Sequence, residues 1–83
     1  DVILPSNLTK IGNYSFESMN IESVTIPVGV TEIGLCAFEN CLNLKTINYQ
    51  GAQAQWEQIT KSDSCIPNGT PIQCTDGSTV FNN

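Results

Sequence analysis

The chain has no histidine and no arginine, and its three lysines stand against eight acidic residues, leaving a net charge of −5. Without histidine, every Ser/His, Cys/His and His-metal constellation is excluded, so chemistry would have to come from carboxylates, lysines, hydroxyls and thiols. Without clustered Lys and Arg there is no electrostatic footprint for nucleic acid or an anionic membrane surface. No apolar run approaches the roughly 18 residues that a bilayer crossing needs. The stretch beginning at Asp1 has no charged n-region or apolar h-region, so an export signal is expected outside these residues. Charged residues make up only 13% of the chain against 40% hydrophobic, a balance that favours folding over disorder. Its 83 residues give room for one small domain or a piece of a longer array.

The candidate reactive groups are few. Cys36, Cys41, Cys65 and Cys74 are even in number, which suits an oxidising compartment and leaves three full pairings open. A Cys65–Cys74 disulfide would tie a loop to the C-terminal hairpin, whereas a Cys36–Cys41 bridge would have to close within a single turn. Neither spacing matches a zinc site, and no histidine completes one. Asp63 and Asp76 lie in no D-x-D-x-D-G run, and Asp76 is accounted for by a turn. Glu17 and Glu39 read as a solvated column rather than as an acid and a nucleophile. No catalytic residue, metal ligand or cofactor is assigned.

What the chain does have is an internal repeat. Residues 4–17 align with 26–39 at a constant offset of 22, with Pro5/Pro27, Thr9/Thr31, Ile11/Ile33, Gly12/Gly34, Phe16/Phe38 and Glu17/Glu39 identical. Leu42 is then an extra residue, and at an offset of 23 Ile21-Glu22-Ser23-Val24-Thr25-Ile26 matches Leu44-Lys45-Thr46-Ile47-Asn48-Tyr49. Val24-Thr25-Ile26 and Ile47-Asn48-Tyr49 alternate as short strands. Pro27 ends the first of these strands. Val30–Ile33 returns as a second extended piece to Gly34, where a sharp backbone turn is expected. Residues 37–41 predict one helical or 3-10 turn with Phe38 as its plug. Such a unit buries little alone and needs stacked neighbours, with Ile11/Ile33, Phe16/Phe38, Met19/Cys41, Ile21/Leu44 and Val24/Ile47 as ladders.

The expected fold is an α/β-type solenoid, a short leucine-rich repeat stack with a small parallel sheet. It comprises the end of a unit at residues 1–4, units over about 4–26 and 26–49, and an aperiodic capping segment at 50–83. Within that cap, Ala52, Trp56 and Ile59 form one stripe of a helix over about 52–59, with Trp56 as a buried plug. Asp76-Gly77 between alternating runs predicts a hairpin over about 72–81.

The residues Ser23–Gly34, Ala37–Cys41 and Leu44–Ile47 resemble the BspA-type leucine-rich repeat of bacterial surface proteins. The stretches Tyr49-Gln50-Gly51, Gln55–Ile59 and Cys74–Gly77 resemble the segment that often closes such arrays. The resemblance implies a bacterial cell-surface or secreted protein, non-catalytic, serving as a scaffold that binds or adheres to protein, matrix or host-surface partners. The outward positions Glu22, Ser23, Thr25, Lys45, Thr46 and Asn48 are the expected binding face. Further repeats of the parent protein are the expected neighbour of the Val2-Ile3-Leu4 edge. A cap or spacer without a ligand, and a carbohydrate-acting enzyme fragment, are the alternatives in that order.

Overall fold

The computed structural model describes residues 2–81. Short strands alternate between two parallel arrays as the chain winds. β1 (Val2–Ile3), β3 (Ser23–Ile26), β5 (Thr46–Tyr49), β7 (Pro71–Gln73) and β8 (Thr79–Phe81) form the larger sheet in that order. β2 (Lys10–Ile11), β4 (Glu32–Ile33) and β6 (Thr60–Lys61) form the smaller one. Every pairing is parallel except β7 with β8. With one strand of the smaller sheet per coil, the molecule is a β-solenoid of three coils.

The strand registers follow the internal repeat. Val2 pairs with Val24 and Ile11 with Ile33, while Ser23 pairs with Thr46 and Val24 with Ile47. The added residue, Leu42, bulges out of the coil and is 90% exposed. Inward side chains stack into rungs: Val24, Ile47 and Ile72 are fully buried on the larger sheet, and Ile11 and Ile33 are buried on the smaller. Each fully buried Val or Ile contributes on the order of 1.5–3 kcal/mol relative to an exposed one. Phe16 and Phe38 lie parallel with ring centroids 5.1 Å apart, between the sheets. The Asn43 side-chain amide donates to Asn20 Oδ1 one coil away, linking the approaches to β3 and β5.

Several expectations need correction. The protein contains almost no helix, so the α/β description overstates it: α1 (Gln53–Gln58) is the one helix among the described residues. Residues 35–40 are a run of turns rather than a helical or 3-10 turn. Cys36 and Asn40 have φ of 52° and 60°, a left-handed conformation that no right-handed helix accommodates. Ala37, Glu39 and Cys41 N–H groups each donate three residues back, closing successive tight turns. The sharp turn expected at Gly34 is present, its carbonyl accepting from Ala37 N–H, but the left-handed conformations fall at Cys36 and Asn40. Gly34 also lets the coils approach closely, because a Cβ there would lie 2.6 Å from Asn13 N and 2.7 Å from Gly12 C. Met19, the expected partner of Cys41 in a rung, is 45% exposed, whereas Cys41 is buried with its thiol donating to Phe16 O.

The stack also continues past residue 50. β6 pairs with β4 at an offset of 28 and β7 with β5 at 25. The backbone bonds that join the first two coils recur between the second and third. Tyr14 and Phe16 N–H donate to Leu35 and Ala37 carbonyls, and Cys36 and Phe38 N–H donate to Asp63 and Cys65 carbonyls. Tyr14, Cys36 and Ser64 share φ values of 58°, 52° and 55°, marking the same corner in each coil. On the smaller sheet the rung Ile11–Ile33 is continued by Lys61, whose ammonium folds back to donate to the carbonyls of Trp56 and Ile59 and lies 5.2 Å from the Trp56 ring centroid. Trp56 is 3% exposed and meets Tyr49 edge-on at 5.2 Å.

Asp76 joins the β7–β8 turn to α1. Its carboxylate accepts from Ser78 N–H within the turn and from Gln53 N–H at the helix start. These bonds, led by the one from Ser78, hold its pKa below the ordinary 3.8. A depressed carboxylate contributes stability that is present above its unfolded value and is lost as pH falls through the folded one. Asp76→Asn is therefore expected to lower the melting temperature near neutral pH while leaving it nearly unchanged in strong acid. A thermal-melt series across the acid range reads this as a shallower acid limb in the variant.

Candidate functional site

The pleat of the larger sheet sends alternate residues outward, and the register carries them into two rows across the strands. One row is Ile3, Thr25, Asn48, Gln73 and Thr79; the other is Ser23, Thr46, Pro71 and Phe81. They stand on the buried inner row of Val24, Ile47 and Ile72, so the face is held by packing rather than by a mobile loop. Thr79 Oγ1 donates to Gln73 Oε1 at 2.9 Å, fixing that amide against the last strand. Phe81 is 60% exposed, beside its register partner Pro71. No side chain in either row carries a charge.

The six residues expected to form the binding face divide into two groups. Ser23, Thr25, Thr46 and Asn48 are in the rows, with Ser23 opposite Thr46 and Thr25 opposite Asn48. Glu22 and Lys45 are exposed but precede their strands, and they meet through the backbone, where Lys45 N–H donates to Glu22 O. They flank the face rather than build it. The rows extend over β7 and β8, so Pro71, Gln73, Thr79 and Phe81 join a surface that the sequence pattern of two units had left two strands wide. The signal for them was present in Ile72-Gln73-Cys74, which repeats the alternation of Ile47-Asn48-Tyr49.

Beside the N-terminal ends of β5 and β7 lies a cleft of about 550 Å³, bordered by Leu42, Leu44, Ile66 and Pro67 among others. It opens because Gly69 follows Leu44 in the stacking direction at the β5–β7 offset and supplies no side chain. Lys45 and Pro71 line both this cleft and the margin of the sheet face.

The thiols take no part in the face. Cys36, Cys41, Cys65 and Cys74 are all free and buried, so the candidate Cys65–Cys74 bridge is not formed. Cys65 lies in the corner where its carbonyl accepts from Phe38 N–H, whereas Cys74 follows β7 and bonds through its N–H to Ser78 O, within the hairpin turn. Burial raises the pKa of Cys41, Cys65 and Cys74, while a hydrogen bond to Glu39 is the main cause for Cys36. A protonated, buried thiol is a poor nucleophile. We expect Ellman's reagent to modify none of the four in the native protein near neutral pH and all four after denaturant is added; rapid native labelling at any one would contradict this packing. Among the described residues, no group of three or more Cys, Asp or Glu side chains is placed to hold a metal ion.

No curated protein and no solved structure matches the chain. The BspA type Leucine rich repeat region, by contrast, matches residues 1–65 in six copies, running past residue 50 into the third coil. That match covers well over half of the 83 residues and agrees with the parallel coils described above, so the chain belongs to the BspA-type leucine-rich repeat family.

Proposed function

We propose that this repeat scaffold is a binding module of a bacterial surface or secreted protein, engaging an extracellular partner through the outer face of its larger sheet. The observation that carries the reading is the polar strip that Thr25, Asn48, Gln73 and Thr79 carry across β3, β5, β7 and β8, supported by fully buried Val24, Ile47 and Ile72. Rigid support limits the ordering cost of binding, because the strands hold these side chains in place beforehand. Leucine-rich repeats of this family are generally non-catalytic, and the strip has no titratable group to act as acid, base or nucleophile. No helix among the described residues is long and apolar enough to cross a membrane. Thr25, Thr46 and Asn48 changed together to alanine in the parent protein should weaken its attachment to cells or matrix by at least about tenfold, or 1.4 kcal/mol. Unchanged attachment with an intact fold would remove this face as the binding site.

A second reading is favoured by Lys61, α1 and the antiparallel β8, which together interrupt the regular parallel stacking of the coils. On that reading the segment terminates a longer array, and further repeats lie against β1 and β2. Deleting residues 78–83 from the parent would then cause self-association, measurable by light scattering, without altering attachment per folded molecule.

A further inference from the structure

We propose that the outward strip of the larger sheet binds a neutral oligosaccharide laid across the strands, with Phe81 as its stacking platform. The assignment rests on the binding-face reading above and names the ligand class. Charge is the first argument. Among the described residues all ten formally charged side chains lie outside the two rows, so the face there offers no partner to a sulfated or phosphorylated polymer, and the net charge of −5 repels one. An uncharged ligand meets no such opposition.

Size is the second argument. Each strand of the sheet is only two to four residues long, so the strip is two alternate rows wide, about 7 Å along the strand, however many strands extend it. A standard protein interface needs about 800 Å² per partner with an apolar centre. This strip is narrow and polar over β3 and β5, with its apolar residues on β1 (Ile3) and in the Pro71–Phe81 pair of β7 and β8. A short linear ligand rich in hydroxyls suits those dimensions better than a folded surface does.

The chemistry of the rows is the third argument. Sugar hydroxyls both donate and accept, and so do the Thr25 hydroxyl and the Asn48 amide, while the Thr46 hydroxyl donates to Pro71 O and keeps its lone pairs to accept. Gln73 accepts from Thr79 and keeps its Nε2 donors for a ligand. At the end of the strip, the negatively polarised face of the exposed Phe81 ring complements the C–H face of a pyranose.

The test is titration of the isotopically labelled 83-residue chain with manno-, malto-, galacto- and chito-oligosaccharides, with a heparin oligosaccharide as the anionic comparator, read by amide NMR shifts. At least one neutral ligand should move the resonances of Thr25, Asn48, Gln73 and Phe81, and heparin should move none. Phe81→Ala, and Asn48→Ala with Gln73→Ala, should each weaken that binding by at least about tenfold while thermal melts show the fold retained. Shifts with heparin alone, or no shift of the face with any of the four neutral ligands, would overturn the assignment. The two readings fail separately: if deglycosylated protein partners still bind the parent and the Thr25/Thr46/Asn48 variant loses them, the binding-face reading stands and the carbohydrate assignment falls.

Discussion

Replacing Phe38 with alanine is expected to destabilise the protein by about 3–5 kcal/mol, the usual cost of removing a large aromatic from a core. Phe38 is 0% exposed, stacks on Phe16, and through its backbone ties the second coil to the third at Cys65. The whole stability of a domain this size is on the order of 4–12 kcal/mol, so one substitution consumes much of it. Phe16→Ala provides the internal comparison. Its ring is only half-buried at the start of the stack, so less contact is lost and a cost of about 1–2 kcal/mol is expected. Urea denaturation of both variants, analysed at a common m-value, decides the matter. Equal losses would mean that the middle coil is no better packed than the first.

Gly34→Ala is expected to cost about 2–3 kcal/mol for a different reason. The new methyl would meet the Asn13 amide nitrogen, Asn13 Oδ1 and the Gly12 carbonyl carbon, and two of those three atoms belong to the backbone of the neighbouring coil. Side chains can rotate away, but backbone on that side is held by Gly34 N–H donating to Ile11 O and by Asn13 Oδ1 accepting from Leu35 N–H. The coils would have to separate locally. Gly69→Ala is the matched control: a Cβ there meets nothing, and only its φ of +84° is unfavourable, at about 1 kcal/mol. If the Gly69 variant loses more than the Gly34 variant, backbone conformation rather than coil spacing dominates.

The first two coils were legible because identical residues recur at a fixed distance. Pro27, Ile33, Gly34 and Phe38 each have a counterpart 22 positions earlier, and parallel pairing aligns those counterparts. The third coil was harder to see because its insertion, including α1, lengthens the step, and its rungs change chemistry. Lys61 follows Ile33, and the backbone bonding puts Ile66 after Phe38. A stack constrains shape and hydrogen bonding more than residue type, so identity fades sooner than structure. The left-handed corners were hidden for a related reason. Tyr14, Cys36 and Ser64 have no common preference for positive φ, and it is the bonds between coils that hold them there. On the outer face of the larger sheet, the alternation of β3 and β5 marked Ser23, Thr25, Thr46 and Asn48 as outward by pleat alone. Its width depended on β7 and β8 joining the same sheet, which is a tertiary fact.

The antiparallel β8 also has a meaning for assembly. A parallel solenoid can act as a template, since each coil offers the next molecule a row of unpaired backbone groups in the direction of winding. Beyond β7 the chain runs backwards in β8, so a coil wound in the original direction would meet β8 antiparallel, and on the smaller sheet it would meet Lys61 where the earlier coils carry isoleucine. Parallel addition past β7 is thereby disfavoured on the side of the stack that β8 covers.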